Sequence, residues 1–283
     1  MKNYLFIVYA FLSLLVFSCG EKSTEEISDN TNKEALKDTT SITVNEETKF
    51  KFDFAIGNIP SPVGSINEIS NWGVEYNNAL LVDANKQLAT SNEFSKAFAL
   101  GVYNIDLSYA VFNNKSDDVL KYVKTVIKIS DELGLKSAVN QVVGKRAEQN
   151  LSNKDSLLKI LDEIFVKSDS YLRTNERVYT ASSIFAGSWV EGLYLTCKIA
   201  ESVTNVDFKE KAYQHLWDQR FYLKNLSDLL NDYKDKKESV SLNDELKKIL
   251  SEINIIKDPK NLKDPEFKSI SAKIYALRNS LIK

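Results

Sequence analysis

The chain has 283 residues, of which 27% are charged, and its formal net charge at pH 7 is −2. Because acidic and basic residues nearly balance, the composition lacks the basic excess of nucleic-acid-binding proteins, and we expect no nucleic-acid partner. A single histidine and two cysteines provide few metal ligands and no disulfide framework. We therefore expect no bound metal and no other cofactor.

The first eighteen residues have the pattern of a secretory signal peptide. Lys2 supplies a positive charge, and Tyr4 to Phe17 is apolar apart from Ser13. A membrane-spanning helix needs about 20 apolar residues, so this shorter run fits the hydrophobic region of a signal peptide better. Cleavage before Cys19 would leave a chain of 265 residues.

The residues before Cys19 resemble the cleavage box of bacterial lipoproteins, in which a small residue precedes the cysteine. Val16 and Ser18 fit that box, whereas Phe17 is bulkier than the usual residue. The resemblance implies that residues 1–18 are removed and that Cys19 carries lipid such as palmitate, which would attach the protein to a membrane. The alternative is an ordinary cleaved signal peptide with a chance cysteine.

Residues 19–49 are predicted to be a lipidated cysteine followed by a disordered acidic tether. The segment has eight acidic residues, four lysines and no aromatic residue, so it has too little apolar surface to fold. Gly20 stands where an aspartate commonly retains lipoproteins at the inner membrane. The resemblance therefore implies an outer-membrane lipoprotein of the cell envelope, facing either the periplasm or the cell surface.

Residues 50–283 are predicted to form a single all-α domain with one short extended segment at its start. Phe50, Phe52, Phe54 and Ile56 alternate with other residues, which is typical of a strand. No proline occurs between residues 63 and 258, and apolar residues there follow the helical period. The predicted helices are 65–90, 92–114, 116–133, 136–149, 154–172, 175–203, 207–235, 241–256 and 265–281.

Local signals support these helix boundaries. Ser116 and Asn153 each precede an acidic first turn and are expected to be N-caps. Gly134 follows Leu133 in the manner of a glycine just after a helix end. The arrangement of the helices stays open between a bundle and an irregular stack of helix hairpins.

Two of the predicted helices share a short pattern in which a glycine precedes an aromatic residue by two positions and a leucine by six. The two copies are Gly101, Tyr103 and Leu107, and Gly187, Trp189 and Leu193. A true duplication would give two repeats of about 85 residues, each with two or three helices. Glycine inside a helix is unfavourable by about 1 kcal/mol relative to alanine, so Gly101, Gly187 and Gly192 indicate close helix–helix contact.

Two family resemblances bear on the domain. Residues 92–133 resemble a tetratricopeptide hairpin through Tyr109 and Tyr122, although Asp118 departs from that family's small residue. The lipoprotein box combined with the two glycine-containing helices is also similar to uncharacterised all-helical lipoproteins of the Bacteroidetes. That similarity implies a location and a fold and no activity.

The most unusual positions are two acidic residues inside apolar helices, Asp106 and Glu191. A buried carboxylate is costly unless it is paired or protonated. One interpretation is a structural bond to a tyrosine or to an arginine, the candidates being Arg146, Arg173, Arg177 and Arg220. The other is a polar cavity with these candidate ligand-binding residues: Asn104, Asp106, Trp189, Glu191 and Tyr194. We expect His215 to lie on a helix face and Cys197 to be a small buried residue.

Three functions are compatible with these patterns. The leading hypothesis is a non-enzymatic helical scaffold or protein-binding module, held at the membrane by Cys19 and acting on an unknown protein partner. The alternative is a small-ligand or glycan-binding lipoprotein with a cavity around Asp106, Trp189 and Glu191. The third is an enzyme that uses the buried acids, although the sequence lacks a nucleophile elbow and phosphate-binding glycine loops.

Overall fold

The computed structural model describes residues 52–53, 62–86, 92–137, 139 and 141–282. This part of the chain is all-α and has no strand, which confirms the predicted fold class. Its nine α-helices are α1 Pro62–Ser70, α2 Glu93–Phe112, α3 Ser116–Glu132, α4 Gln141–Gln149, α5 Lys154–Thr174, α6 Val178–Ser202, α7 Val206–Leu230, α8 Lys237–Ile255 and α9 Asp264–Leu281. The predicted signal peptide, Cys19 and tether lie outside the described residues.

Helices α2 and α6 form the centre of the domain. Between Ala97 and Phe112 every α2 residue except Asn104 is buried, and α6 is similarly buried from Thr180 to Ala200 apart from Gly192 and Lys198. A helix that is apolar on all sides must be covered on all sides. Helices α1 and α3 pack on α2, helices α7 and α9 pack on α6, and α8 packs on α7.

Glycines allow the two central helices to approach closely. A Cβ atom on Gly101 would lie 2.0 Å from the carbonyl oxygen of Ile184, and one on Gly187 would lie 2.1 Å from that of Phe98. Because these obstacles are backbone atoms, no side-chain movement could relieve the overlap. Close helix–helix contact, which the sequence predicted at Gly101 and Gly187, is confirmed. The prediction is wrong for Gly192, where an added Cβ would make an ordinary 4.0 Å contact with Ile105.

The contacts between α2 and α6 keep one register. Phe98 faces Gly187, Gly101 faces Ser188, and Ile105 faces Gly192, so positions advance together along both helices. The two helices therefore run in the same direction, with a residue of α2 opposite residues about 83 to 89 positions later. The two copies of the glycine pattern consequently lie face to face.

Most of the predicted boundaries agree with the structure, and some differ from it. The Asn153 side chain accepts the Ser156 N–H, as predicted for an N-cap, and Gly134 has a φ of +72° after the end of α3. Ser116 is the first residue of α3 instead of its cap, and its hydroxyl donates to the Leu151 carbonyl.

Two larger differences occur near the start of the domain. The helix predicted for 65–90 ends at Ser70, and the described residues up to 86 are irregular except for a short 3₁₀ turn, Asn78–Leu80. Gly73, with a φ of +73°, lies three residues after the helix end. The extended conformation predicted for 50–56 is wrong at Phe52 and Asp53, which are helical. Phe52 is buried beneath the Arg173 guanidinium, so packing on α5 overrides a short alternating pattern.

No helix among the described residues is both long enough and apolar enough to cross a membrane.

Candidate functional site

The structure brings together the two acidic residues that the sequence singled out. Asp106 on α2 and Glu191 on α6 are both fully buried, and their carboxyl groups lie close enough for each to influence the pKa of the other. The close approach of the two helices at Gly101 and Gly187 places these side chains in the same interior region. Two ionised carboxylates this close in a buried region would repel each other, which favours a proton on one of them.

Arg278 on α9 provides the positive charge for this pair. Its Nε lies 2.9 Å from Glu191 Oε2, and its Nη2 lies 2.8 Å from Glu191 Oε1, which makes a bidentate ion pair. Arg278 is 7% exposed, so the pair is screened little by water. The predicted arginine partners were wrong, because Arg146, Arg173 and Arg177 each pair with another acid and Arg220 contacts two aromatic rings.

Asp106 is the member of the pair whose surroundings favour the protonated form more strongly. Burial raises the pKa of Asp106 well above its ordinary value, and the negative charge of Glu191 raises it further. Burial also raises the pKa of Glu191, but the two N–H bonds from Arg278 oppose that shift. In the described part of the chain, Asp106 Oδ1 has no donor, and a protonated Asp106 can instead donate to Glu191. The three side chains then carry no net charge.

This charged cluster also holds a loop, which we call the anchored loop (residues 80–86). Asp106 Oδ2 accepts the Val82 N–H at 3.0 Å, and Arg278 Nη2 lies 3.3 Å from the Leu80 carbonyl oxygen. Three more side chains donate to carbonyls of this loop: Tyr122 to Val82, Thr125 to Ala84, and Tyr103 to Lys86. Both buried acids therefore have structural partners, Glu191 in Arg278 and Asp106 in the Val82 N–H.

The other candidate ligand-binding residues are not gathered around one cavity. The Tyr194 ring lies 4.1 Å from the Arg278 guanidinium and belongs to the charged cluster. Asn104 is half-buried, and its carbonyl accepts the Ser108 hydroxyl. Trp189 donates its Nε1–H to Gln219 on α7 at 3.0 Å, which places its polar edge with α7 and apart from the acids.

A hydrogen-bonded series connects Trp189 to the protein surface. The Gln219 amide nitrogen lies 3.2 Å from His215 Nε2, and His215 Nδ1 lies 3.6 Å from the Glu68 carboxylate of α1. His215 thus lies on a helix face in a structural contact. Cys197 is fully buried, and burial raises the pKa of its thiol to about 12, which is unsuited to nucleophilic work. Among the described residues, no three His, Cys, Asp or Glu side chains converge as metal ligands.

An open groove lies beside Leu80, the first residue of the anchored loop. It has a volume of about 420 Å³ and is lined by Val74, Glu75, Tyr76, Asn77, Leu80, Lys198, Ile199, Glu201 and Ser202. The carbonyl of Leu80 bonds to Arg278, so this residue separates the groove from the buried charged cluster. None of the five candidate ligand-binding residues lines it.

A second surface feature is an aromatic cluster on α7, which we call the α7 surface (Trp217, Arg220 and Phe221). The Arg220 guanidinium carbon lies 3.1 Å from the centroid of the Trp217 ring and 3.9 Å from that of Phe221. Phe221 is 56% exposed. Trp217 donates its Nε1–H to the carbonyl of Ile256, and the neighbouring Ile255 is 75% exposed.

Comparisons with family models, with curated proteins and with solved structures gave no significant match.

The sequence alone did not identify Arg278, the groove or the α7 surface. Arg278 follows Leu277 inside the apolar pattern of α9, and an arginine in such a stripe is a signal of a buried ion pair. The groove has no comparable signal, because its walls are two segments about 120 positions apart. The spacing of Trp217 and Phe221, one helical turn apart, indicates a shared face and says nothing about exposure.

Proposed function

We propose that this protein is a non-enzymatic helical module of the cell envelope that binds another protein through the α7 surface. The observation that carries the proposal is the placement of Arg220 between the rings of Trp217 and Phe221 while Phe221 stays 56% exposed. Tryptophan and arginine are enriched among the residues that contribute most to protein–protein affinity. A large exposed aromatic side chain beside them is a typical anchor for a partner's pocket.

The α7 surface is also held in place before any partner arrives. Trp217 is fixed by its bond to the Ile256 carbonyl, and Arg220 donates to the Trp217 carbonyl at 2.8 Å. Side chains that are already ordered lose little conformational entropy on binding. Ile255, next in sequence to the bonded Ile256, is a further exposed apolar side chain.

The location is part of the same proposal and comes from the sequence. Lipid on Cys19 would hold the protein at the outer membrane, and the acidic tether of residues 20–49 would let the domain turn relative to that membrane. A module that must find a partner near a membrane benefits from such an attachment, because confinement raises its effective concentration.

Site-specific photocrosslinking tests the partner-binding proposal. A photoreactive phenylalanine analogue placed at position 221 should give one discrete adduct with a second protein in native envelopes. Position 166 on α5 is the matched control, since Val166 is similarly exposed at 57% and lies on another helix. Absence of an adduct at 221, or the same adducts at 221 and 166, would contradict the proposal.

Small-ligand binding is a second candidate function, and the groove between residues 74–80 and the end of α6 favours it. Its volume is within the range of about 300–1,000 Å³ that is usual for ligand sites. The sequence hypothesis placed such a cavity around Asp106, Trp189 and Glu191. Other residues line the groove, so this candidate function now rests on them.

A further inference from the structure

The groove combines an apolar base with a polar rim. Val74, Leu80 and Ile199 supply aliphatic surface, and Leu80 and Val74 are half-buried, so a ligand can reach them. Glu75, Glu201 and Ser202 supply polar groups at the edge. An amphipathic ligand with a short apolar stem and one polar end would match both parts of this lining.

The charge of the polar end follows from the groups around it. Helix α6 ends at Ser202 in the groove wall, and a helix C-terminus carries roughly half a negative charge. No basic residue lies in the last turn of α6. Glu75 is exposed on the opposite wall and is in no ion pair with any residue that the structure describes. These groups favour a cation at this end of the groove.

The two cations nearest to the groove are already neutralised. Lys198 Nζ lies 3.3 Å from Glu201 Oε2 and 3.8 Å from the centroid of the Tyr275 ring. Arg278, behind Leu80, forms its bidentate pair with Glu191. Neither side chain therefore offers an unpaired positive charge to an anionic ligand. The Glu201 carboxylate is held in position by the Tyr275 hydroxyl at 2.8 Å.

We propose that this groove binds a small primary amine with an apolar stem. The ammonium group would lie beside Glu75 near the end of α6, and the stem would cover Val74 and Leu80. Such a site is separate from the α7 surface, and either proposal can fail without the other.

A ligand series that differs only in its polar end tests the proposal. Hexylammonium, 1-hexanol and hexanoate are titrated into the full chain, and methyl NMR signals of Val74, Leu80 and Ile199 are followed. Hexylammonium should shift these signals in a saturable way, with at least about tenfold higher affinity than either other compound. Equal or tighter binding of hexanoate, shifts at other methyl groups only, or no saturable shift would overturn the proposal.

Charge-removing variants test the same site from the protein side. Glu75→Gln should weaken hexylammonium binding about tenfold without a change in melting temperature, since Glu75 is exposed. Glu201→Gln should weaken it as well, because Lys198 would lose its acidic partner and bring an unpaired positive charge to the groove. Glu245→Gln, which removes an exposed acid on α8, is the control and should leave the affinity unchanged. Unchanged affinity in Glu75→Gln would count against the proposed cation contact.

Discussion

At the scale of a single residue, the protonation state of Asp106 affects the stability of the domain. Neutral Asp106 satisfies the Val82 N–H with one oxygen and donates to Glu191 with the other, while Glu191 keeps its charge for Arg278. An ionised Asp106 would place a second negative charge beside Glu191 in a fully buried region. The arrangement therefore links the stability of the anchored loop to pH.

Replacing Asp106 with asparagine should remove that pH dependence. In the wild type the pKa of Asp106 is raised on folding, so its contribution is complete below the ordinary pKa of an unfolded aspartate. The contribution is then lost progressively as pH rises toward the folded pKa. Asp106→Asn, an uncharged mimic of the protonated acid, should unfold with a smaller loss of stability between pH 4 and pH 8, measured by urea denaturation.

Two further variants complete that test. Asp106→Ala leaves the Val82 N–H without its acceptor and should lose about 1–3 kcal/mol at pH 4, and less at higher pH, where the wild type has itself lost part of the Asp106 contribution. Asp117→Asn removes an exposed acid of α3 and should keep the wild-type pH profile. If Asp106→Asn kept the wild-type profile too, Asp106 would not be the protonated member of the pair.

At the scale of helices, the contact between α2 and α6 is the main determinant of the fold. Its closeness comes from glycine positions that meet backbone atoms of the opposite helix. The glycine pattern in the sequence indicated a close helix–helix contact, and this explanation is correct for Gly101 and Gly187. The pattern could not show which helix each glycine would meet, because a glycine carries no chemical information about its neighbour.

Alanine substitutions in α6 should distinguish a glycine that lies against the backbone of α2 from one that makes only ordinary contacts. Gly187→Ala forces the new methyl group against the Phe98 carbonyl and should destabilise the domain by about 3 kcal/mol or more, seen as a fall in melting temperature. Gly192→Ala on the same helix meets only ordinary contact and should gain up to about 1 kcal/mol from helix propensity. Equal effects of the two substitutions would refute the close-contact explanation.

The irregular segment before α2 shows where sequence patterns fail at this scale. Its apolar residues fit a helical period, yet Leu81 and Val82 are buried beside buried polar side chains that bond to the backbone. Those polar partners come from α2, α3 and α9, and Arg278 is 198 positions from Leu80. A local pattern cannot reveal partners that only tertiary structure provides.

At the scale of the whole molecule, the all-α class and most helix boundaries could be predicted, since both depend on the helical period and on local caps. The candidate site could be predicted in part. Asp106 and Glu191 were identifiable because acids inside apolar helices are rare. Their cation and the location of the groove could not be identified, since neither follows any spacing in the sequence.

The predicted anchor gives the whole molecule a direct test. Cys19→Ser should abolish incorporation of radiolabelled palmitate and should move the protein from the membrane fraction to the soluble envelope fraction. The folded domain should be unaffected, because Cys19 lies outside the helical domain predicted for residues 50–283. Cys197→Ser is the matched control, and it should keep both palmitate and membrane association. Palmitate incorporation that survives Cys19→Ser would disprove the predicted lipid site.

The parallel register of α2 and α6 has a consequence for the assembly of the protein. Residues 113–177 lie between the two helices, so the central contact has a large sequence separation, and such contacts slow folding. During synthesis from the N-terminus, α2 exists as an apolar helix without its main partner until α6 has emerged. Unpartnered apolar helices aggregate, which is the condition that chaperones prevent. This domain should depend more on a chaperone than a helical protein built from successive hairpins does.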